Sequence, residues 1–183
     1  MHRFSRSALL ALALLGGGEA GAAPVYTADG NLVPPADYRE WIYMSSGLDM
    51  SYTEGAAADH SMFDNVFVDP ASWAEFKKTG HWPDKTMFVL EVRGAQSHGS
   101  INKNGQYQTE DLMGVEAHIR DEARFKGGWG FFRFDGAAPA KLISYDAQCY
   151  ACHLAHGAVD TTFSQFYPTA KPIAVKAGNY KEQ

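Results

Sequence analysis

Residues 147–153 read Ala-Gln-Cys-Tyr-Ala-Cys-His, and no other feature constrains the fold as strongly as the spacing of Cys149, Cys152 and His153. A C-x-x-C-H segment is the attachment signature of a c-type haem. Two thiols at this spacing suit thioether bonds to the two vinyl groups of one porphyrin, and the adjacent imidazole can turn under the iron as its proximal ligand. A chain built this way must offer a face on which a large, flat, apolar group can pack. A disulfide, a thioredoxin-like redox pair and a zinc site made of Cys149, Cys152, His153 and His156 are the competing readings. The flanks show no βαβ pattern, and zinc sites usually draw ligands from two separated knuckles, so covalent haem c, one per chain, is the expected cofactor.

The N-terminus agrees with that chemistry. Met1 to Arg6 is basic, Ser7 to Gly18 is apolar, and Ala20-Gly21-Ala22 is an A-x-A-like cleavage site, which together predict a signal peptide over residues 1–22. The apolar run falls short of the roughly 18 residues that a membrane span needs. Cleavage after Ala22 leaves 161 of 183 residues, enough for one domain with a real core over 23–183. Of 16 basic and 21 acidic residues, 14 and 20 remain once Arg3, Arg6 and Glu19 are removed, so the net charge moves from −5 to −6. An acidic chain is a poor partner for nucleic acid or an anionic membrane surface. Both cysteines are committed to the haem motif, which leaves none for a structural disulfide. The predicted compartment is the periplasm, where c-type haem is attached.

No repeat or linker interrupts residues 23–183. A helix is predicted from Pro34 to about Met44, with Tyr38, Trp41 and Ile42 at helical spacing. A second is predicted after Asp69-Pro70, with Asp69 as N-cap and Gly80 as stop. Asn65–Val68, Thr86–Val92, Gly114–Arg120 and Gly130–Phe134 read as strands, separated by Gly- and Asn-rich loops such as Gly99 to Gly105. The fold class is therefore α+β, a mainly antiparallel sheet with flanking helices.

A C-terminal haem motif on a strand-rich domain resembles the cytochrome P460 and cytochrome c′-β family. The resemblance runs from Asp37-Tyr-Arg-Glu-Trp41 through Val66-Phe-Val-Asp-Pro70, Lys77-Lys-Thr-Gly80, Gly114-Val-Glu-Ala117 and Gly128-Trp129. It continues to the haem motif and ends in Asp160-Thr-Thr-Phe-Ser-Gln-Phe-Tyr-Pro168. It implies an antiparallel sheet carrying the haem against one face. Members that oxidise hydroxylamine carry a lysine, covalently tied to the porphyrin edge, where this chain has Leu90 before Glu91. They also carry an arginine where this chain has Asp64, so their distal polar pair with glutamate is not expected here. Glu116 matches that glutamate. The resemblance thus implies the uncrosslinked, c′-β-like branch, acting in one-electron transfer or in binding a small gas such as nitric oxide. The enzymatic alternative is oxidation of hydroxylamine or another small nitrogen compound, with Glu116 as proton acceptor.

Alternation along strands then sorts the candidates. If Leu90 faces the haem, Phe88 and Thr86 share its side, and Phe88 is a candidate pocket wall. Counting from Glu116 puts Leu112, Gly114 and His118 on one side and Met113 on the other, provided no bulge intervenes. Counting from Asp64 places Met62 on the pocket side, which makes it the candidate sixth ligand of the iron, while Met87 and Met113 are expected in the core. His60, His98 and His118 are further candidates for a distal nitrogen or an acid/base, and His156 for a surface or propionate contact. Trp41, Trp73, Trp82 and Trp129 are expected in the core and the pocket walls. The partners implied are a small diatomic ligand or a redox protein, and a homodimer is compatible with the sequence.

Overall fold

The strand-forming runs pair into one sheet. A computed structural model describes residues 23–50, 61–99 and 101–182; the predicted signal peptide over residues 1–22 and His60 lie outside them. Five strands, β1 (Ile42–Leu48), β2 (Met62–Val68), β3 (Met87–Gln96), β4 (Tyr107–Arg120) and β5 (Trp129–Phe134), form an antiparallel sheet in the order β1-β2-β3-β4-β5. Helix α1 (Pro70–Thr79) connects β2 to β3, and α2 (Gln148–His156) and α3 (Lys171–Ala177) follow the sheet. Among the described residues, no helix is long and apolar enough to cross a membrane.

Helix α1 forms where local chemistry dictates. Asp69 Oδ1 accepts a hydrogen bond from the Ser72 N–H at 2.8 Å, Pro70 occupies the first turn, and Gly80 ends the helix with φ 72°. The other oxygen, Oδ2, accepts from the Met87 N–H at 2.9 Å, so one carboxylate both caps α1 and pins the start of β3.

The helix predicted from Pro34 to Met44 is absent. Only Tyr38–Glu40 makes a 3-10 turn, and β1 begins at Ile42. Pairing with β2 along one edge of residues 42–48 overrides a weak local helical pattern. Tyr38 and Trp41 are buried nonetheless, as their spacing implied. Strand β4 also runs further than its sequence pattern, starting at Tyr107 in place of Gly114.

Alternation sends consecutive side chains of β3 to different cores. Met87 and Val89 join Ala117, Ile119, Phe132, Phe134, Tyr38 and Trp41 on one face. Phe88 joins Val68, Phe76, Trp82, Trp129, Tyr150 and Tyr167 on the other. A central strand buried on both sides is fixed in register, because a one-residue slip would exchange the two sets.

Candidate haem site

Helix α2 brings the residues of the C-x-x-C-H segment to one side of the sheet. Cys149 and Cys152, three residues apart, share a helix face with His153. Tyr150 points inward and is buried, whereas Cys149 is exposed and Cys152 half-buried. The His153 ring packs into an aromatic box whose ring centroids lie 4.7 Å away at His118, 4.7 Å at Phe131 and 4.1 Å at Phe163. Its Nδ1 donates to the Thr161 carbonyl at 2.9 Å, which places the proton on Nδ1 and leaves the Nε2 lone pair free for a metal. Burial holds the His153 pKa below the ordinary histidine value, opposed by the Thr161 hydrogen bond, so the ring is neutral at pH 7. Among the described residues, no three His, Cys, Asp or Glu side chains converge on a metal-sized cluster, so the Cys149, Cys152, His153 and His156 zinc alternative has no geometry behind it.

The sheet beneath is organised in rungs. Val68, Phe88, His118 and Phe131 pair across β2 to β5 under His153. On the same face, the next rung carries Val66, Leu90, Glu116 and Arg133, and the one beyond carries Asp64, Val92 and Gly114. Burial decreases in that direction. Val68, Phe88 and His118 are buried, while Val66, Leu90 and Val92 are half-buried and present an apolar strip. The residues fit a c-type haem: two free thiols, a neutral imidazole with Nε2 available, and an apolar strip for the porphyrin edge.

The inference that Phe88 shares a face with Leu90 agrees with this pairing. Phe88 is nevertheless 4% exposed, enclosed by Trp82 at 4.7 Å, Tyr167 at 5.9 Å and Trp129 at 6.4 Å. It supports the site from within the core and does not line it. Of the four tryptophans, Trp41, Trp82 and Trp129 are buried in the cores and Trp73 packs on Phe76 at 5.8 Å.

Met62 is on the predicted face but in the wrong place for a sixth ligand. It pairs with Gly94, six residues along β3 from Phe88, and β2 lies two strands away from β4. At about 3.3 Å per residue this puts Met62 about 20 Å along the sheet from the rung that contacts His153. Two axial ligands of one iron do not span such a distance. Met113 corrects a second expectation. Val92 pairs with Gly114 and Arg93 with Leu112, so Met113 is the extra residue of a β-bulge, and it is exposed in place of core. The same bulge moves Leu112 to the opposite face from Gly114. Met87 is buried as expected.

His118 belongs to the proximal side. Its ring stacks on Phe131 at 4.1 Å and meets Trp129 at 4.2 Å, and its buried Nε2 has no hydrogen-bond partner. Burial, then the neighbouring His153, pushes its pKa well below the ordinary value, so it packs as a neutral ring against His153 and is no distal acid or base. His98 is exposed, beyond the far end of β3, and His156 is exposed at the end of α2.

Three features were not read from the sequence. Arg133 Nε lies 3.5 Å from Glu116 Oε1, and Gly114 leaves room beside it: a Cβ there would stand 3.9 Å from Arg133 Nη2. A polar pair of Glu116 with an arginine therefore exists in this chain, formed from β5 and not from position 64. Asp64 faces that pair, and burial, then Glu116 and Asp49, push its pKa up to about 6. Asp160 packs behind His153, held by residues some 80 positions earlier in the chain. Only the Asp160–Pro168 motif itself hinted at this last element. On the reverse face, buried Glu91 accepts from Tyr38, from Arg39 Nε at 2.7 Å and from Arg93 Nε at 2.5 Å.

The family model for cytochrome P460 matches residues 35–164, from the turn before β1 to beyond the haem motif. No curated protein matches the chain.

Proposed function

The chain belongs to the cytochrome P460 family of haem proteins, and from that premise we propose that it is an exported mono-haem c-type cytochrome of the uncrosslinked, c′-β-like kind. Its proposed role is binding of a neutral diatomic ligand such as nitric oxide, or one-electron exchange with a redox protein in the periplasm. Bound haem would supply an iron that changes between ferric and ferrous and can bind a small ligand.

The chain's own residues divide the work. Cys149 and Cys152 would hold the porphyrin through thioethers, so that orientation survives loss of any axial bond. His153 would offer Nε2 to the metal while Thr161 fixes its ring plane through Nδ1. Val66, Leu90 and Val92 would exclude water from the porphyrin edge. Glu116, Arg133 and Asp64 would set the charge and the proton inventory on the ligand side.

Leu90 is the observation that carries the proposal. It stands between Val66 and Glu116 on its rung, facing the site from the central strand, and an alkyl side chain cannot make the covalent tie of the hydroxylamine-oxidising members. Asp64, with a pKa near neutrality beside Glu116, favours the second reading, acid–base-assisted oxidation of a small nitrogen compound. One set of measurements on protein co-expressed with haem-attachment machinery separates the two. We expect haem that resists extraction by acidified organic solvent, an ordinary ferrous Soret band, nitric oxide binding and negligible hydroxylamine turnover. A strongly red-shifted ferrous Soret band, a third haem–protein bond in a tryptic digest, or robust turnover refutes the proposal in favour of the enzyme.

A further inference from the structure

We propose that Asp160 is a positioning residue for the proximal histidine, acting through the backbone of Thr161; the inference rests on the haem reading above. Asp160 and Thr161 both adopt left-handed backbone conformations, with φ 47° and 61°. A β-branched threonine rarely does so, and two such residues in succession persist only where their surroundings over-determine them. The outcome of that turn is the Thr161 carbonyl aimed at His153 Nδ1, 2.9 Å away.

The force holding the turn comes from Asp160. Its carboxylate, 17% exposed, accepts from the Trp82 N–H at 2.9 Å and from His81 Nδ1 at 3.1 Å, and faces Arg120 Nη1 at 3.5 Å. Trp82 is itself buried on all sides: 1% exposed, it stacks on Phe76 with centroids 3.8 Å apart, and its indole N–H points to Thr162 Oγ1 at 3.1 Å. The Thr161 hydroxyl contributes nothing, being buried without a partner. Thr162 closes the turn through Val159, with its N–H and Oγ1 donating to the Val159 carbonyl at 2.8 and 2.7 Å.

Gly157, at the end of α2, completes the clamp from the other side. A Cβ on it would stand 2.5 Å from the Thr161 carbonyl carbon, 2.6 Å from the His153 carbonyl oxygen and 2.7 Å from the Thr161 Cα, so it would press on both ends of the His153–Thr161 contact. Its own backbone, φ −71°, would accept any residue, so only this close approach requires glycine. Asp160 ties the turn to the loop between α1 and β3, and Gly157 lets it lie against the helix that carries His153. The consequence is a hydrogen bond of fixed length on Nδ1, which raises the donor strength of Nε2 and stabilises the ferric state.

The test uses the haem-loaded full-length protein and two readouts that a purely structural role would not move, the reduction potential and the iron–histidine stretch of the five-coordinate ferrous form. Asp160→Ala and Gly157→Ala should both raise the potential and lower the stretching frequency. Asp160→Asn keeps an acceptor for the Trp82 N–H and should fall between them and the wild type. Thr161→Gly relieves the left-handed strain but keeps the carbonyl, and should stay nearest the wild type. Should Asp160→Ala fail to fold, Gly157→Ala, which removes no hydrogen bond, carries the same test. Wild-type values for potential and stretch in Asp160→Asn and Gly157→Ala overturn the clamp while leaving the haem reading intact. A wild-type chain that shows no covalent haem in a pyridine haemochrome assay overturns both.

Discussion

Replacing Asp64 by Asn should make the protein more stable at neutral pH and leave its stability unchanged in acid. Burial, then the charges of Glu116 and Asp49, raise the Asp64 pKa from 3.8 to about 6. A carboxylate raised in the folded state costs nothing below the unfolded value, where both states are protonated. The cost grows as the unfolded chain ionises first, between about pH 4 and 6, and is complete above 6. Two pKa units correspond to a ceiling of about 3 kcal/mol. Asp64 is only half-buried, and solvent screening reduces the expected gain for Asp64→Asn to about 1 kcal/mol at pH 7. Urea unfolding of both proteins, followed by circular dichroism between pH 4 and 7, reads the difference directly. Titrations elsewhere in the chain largely cancel in the comparison. A difference that does not grow with pH, or a variant less stable at pH 7, refutes the reasoning and means that Asp64 has a cationic or hydrogen-bonding partner.

Met62→Ala should leave the ferric absorption spectrum and its spin state unchanged, since Met62 lies far along the sheet from His153; loss of a near-infrared thioether band would overturn that distance argument. Leu90→Lys alone should leave hydroxylamine turnover at the wild-type level in a steady-state assay, because Asp64 also departs from the lysine-bearing pattern. Trp82→Ala should cost about 3–5 kcal/mol in chemical denaturation, as it empties a fully buried site stacked on Phe76 and met edge-on by Phe88. A loss below about 1 kcal/mol would show that the aromatic cluster collapses around the gap.

What could be read from the sequence was what a few adjacent residues decide. The ends of α1 follow from Asp69, Pro70 and Gly80, each acting within one turn of itself. The face shared by Phe88, Leu90, Glu116 and His118 follows from alternation along strands whose pairing is regular between Phe88 and Val92. Strand β1 was illegible because it forms by pairing with the distant Met62–Val68, whereas residues 34–44 carry a locally plausible helical pattern. Met113 was misplaced because one bulge reverses parity, and nothing in Leu112-Met113-Gly114 announces it. Parity gave Met62 the correct face and no information about distance along the strand. The support behind His153 was invisible because Asp160 finds its partners at His81, Trp82 and Arg120, which only the folded chain brings together.

The resemblance implies a distal cation where this chain has Asp64; here the cation beside Glu116 comes from another strand, and the difference is not neutral. An arginine at position 64 would sit on β2, in the interior of the sheet. Arg133 sits on β5, at the end of the strand order, with its side chain 69% exposed. An ion pair so exposed is weak and screened by salt, so Glu116 keeps most of its negative potential. Above pH 6 Asp64 adds a second negative charge on the same face, and below pH 6 it holds a proton. A site with that balance repels anions at neutral pH and is indifferent to uncharged molecules, because a field acts on net charge. On the proposed reading this favours nitric oxide over anionic nitrogen species at pH 7. The preference should weaken as Asp64 takes up its proton, so part of the selectivity and of its pH dependence comes from a side chain that never needs to touch the metal.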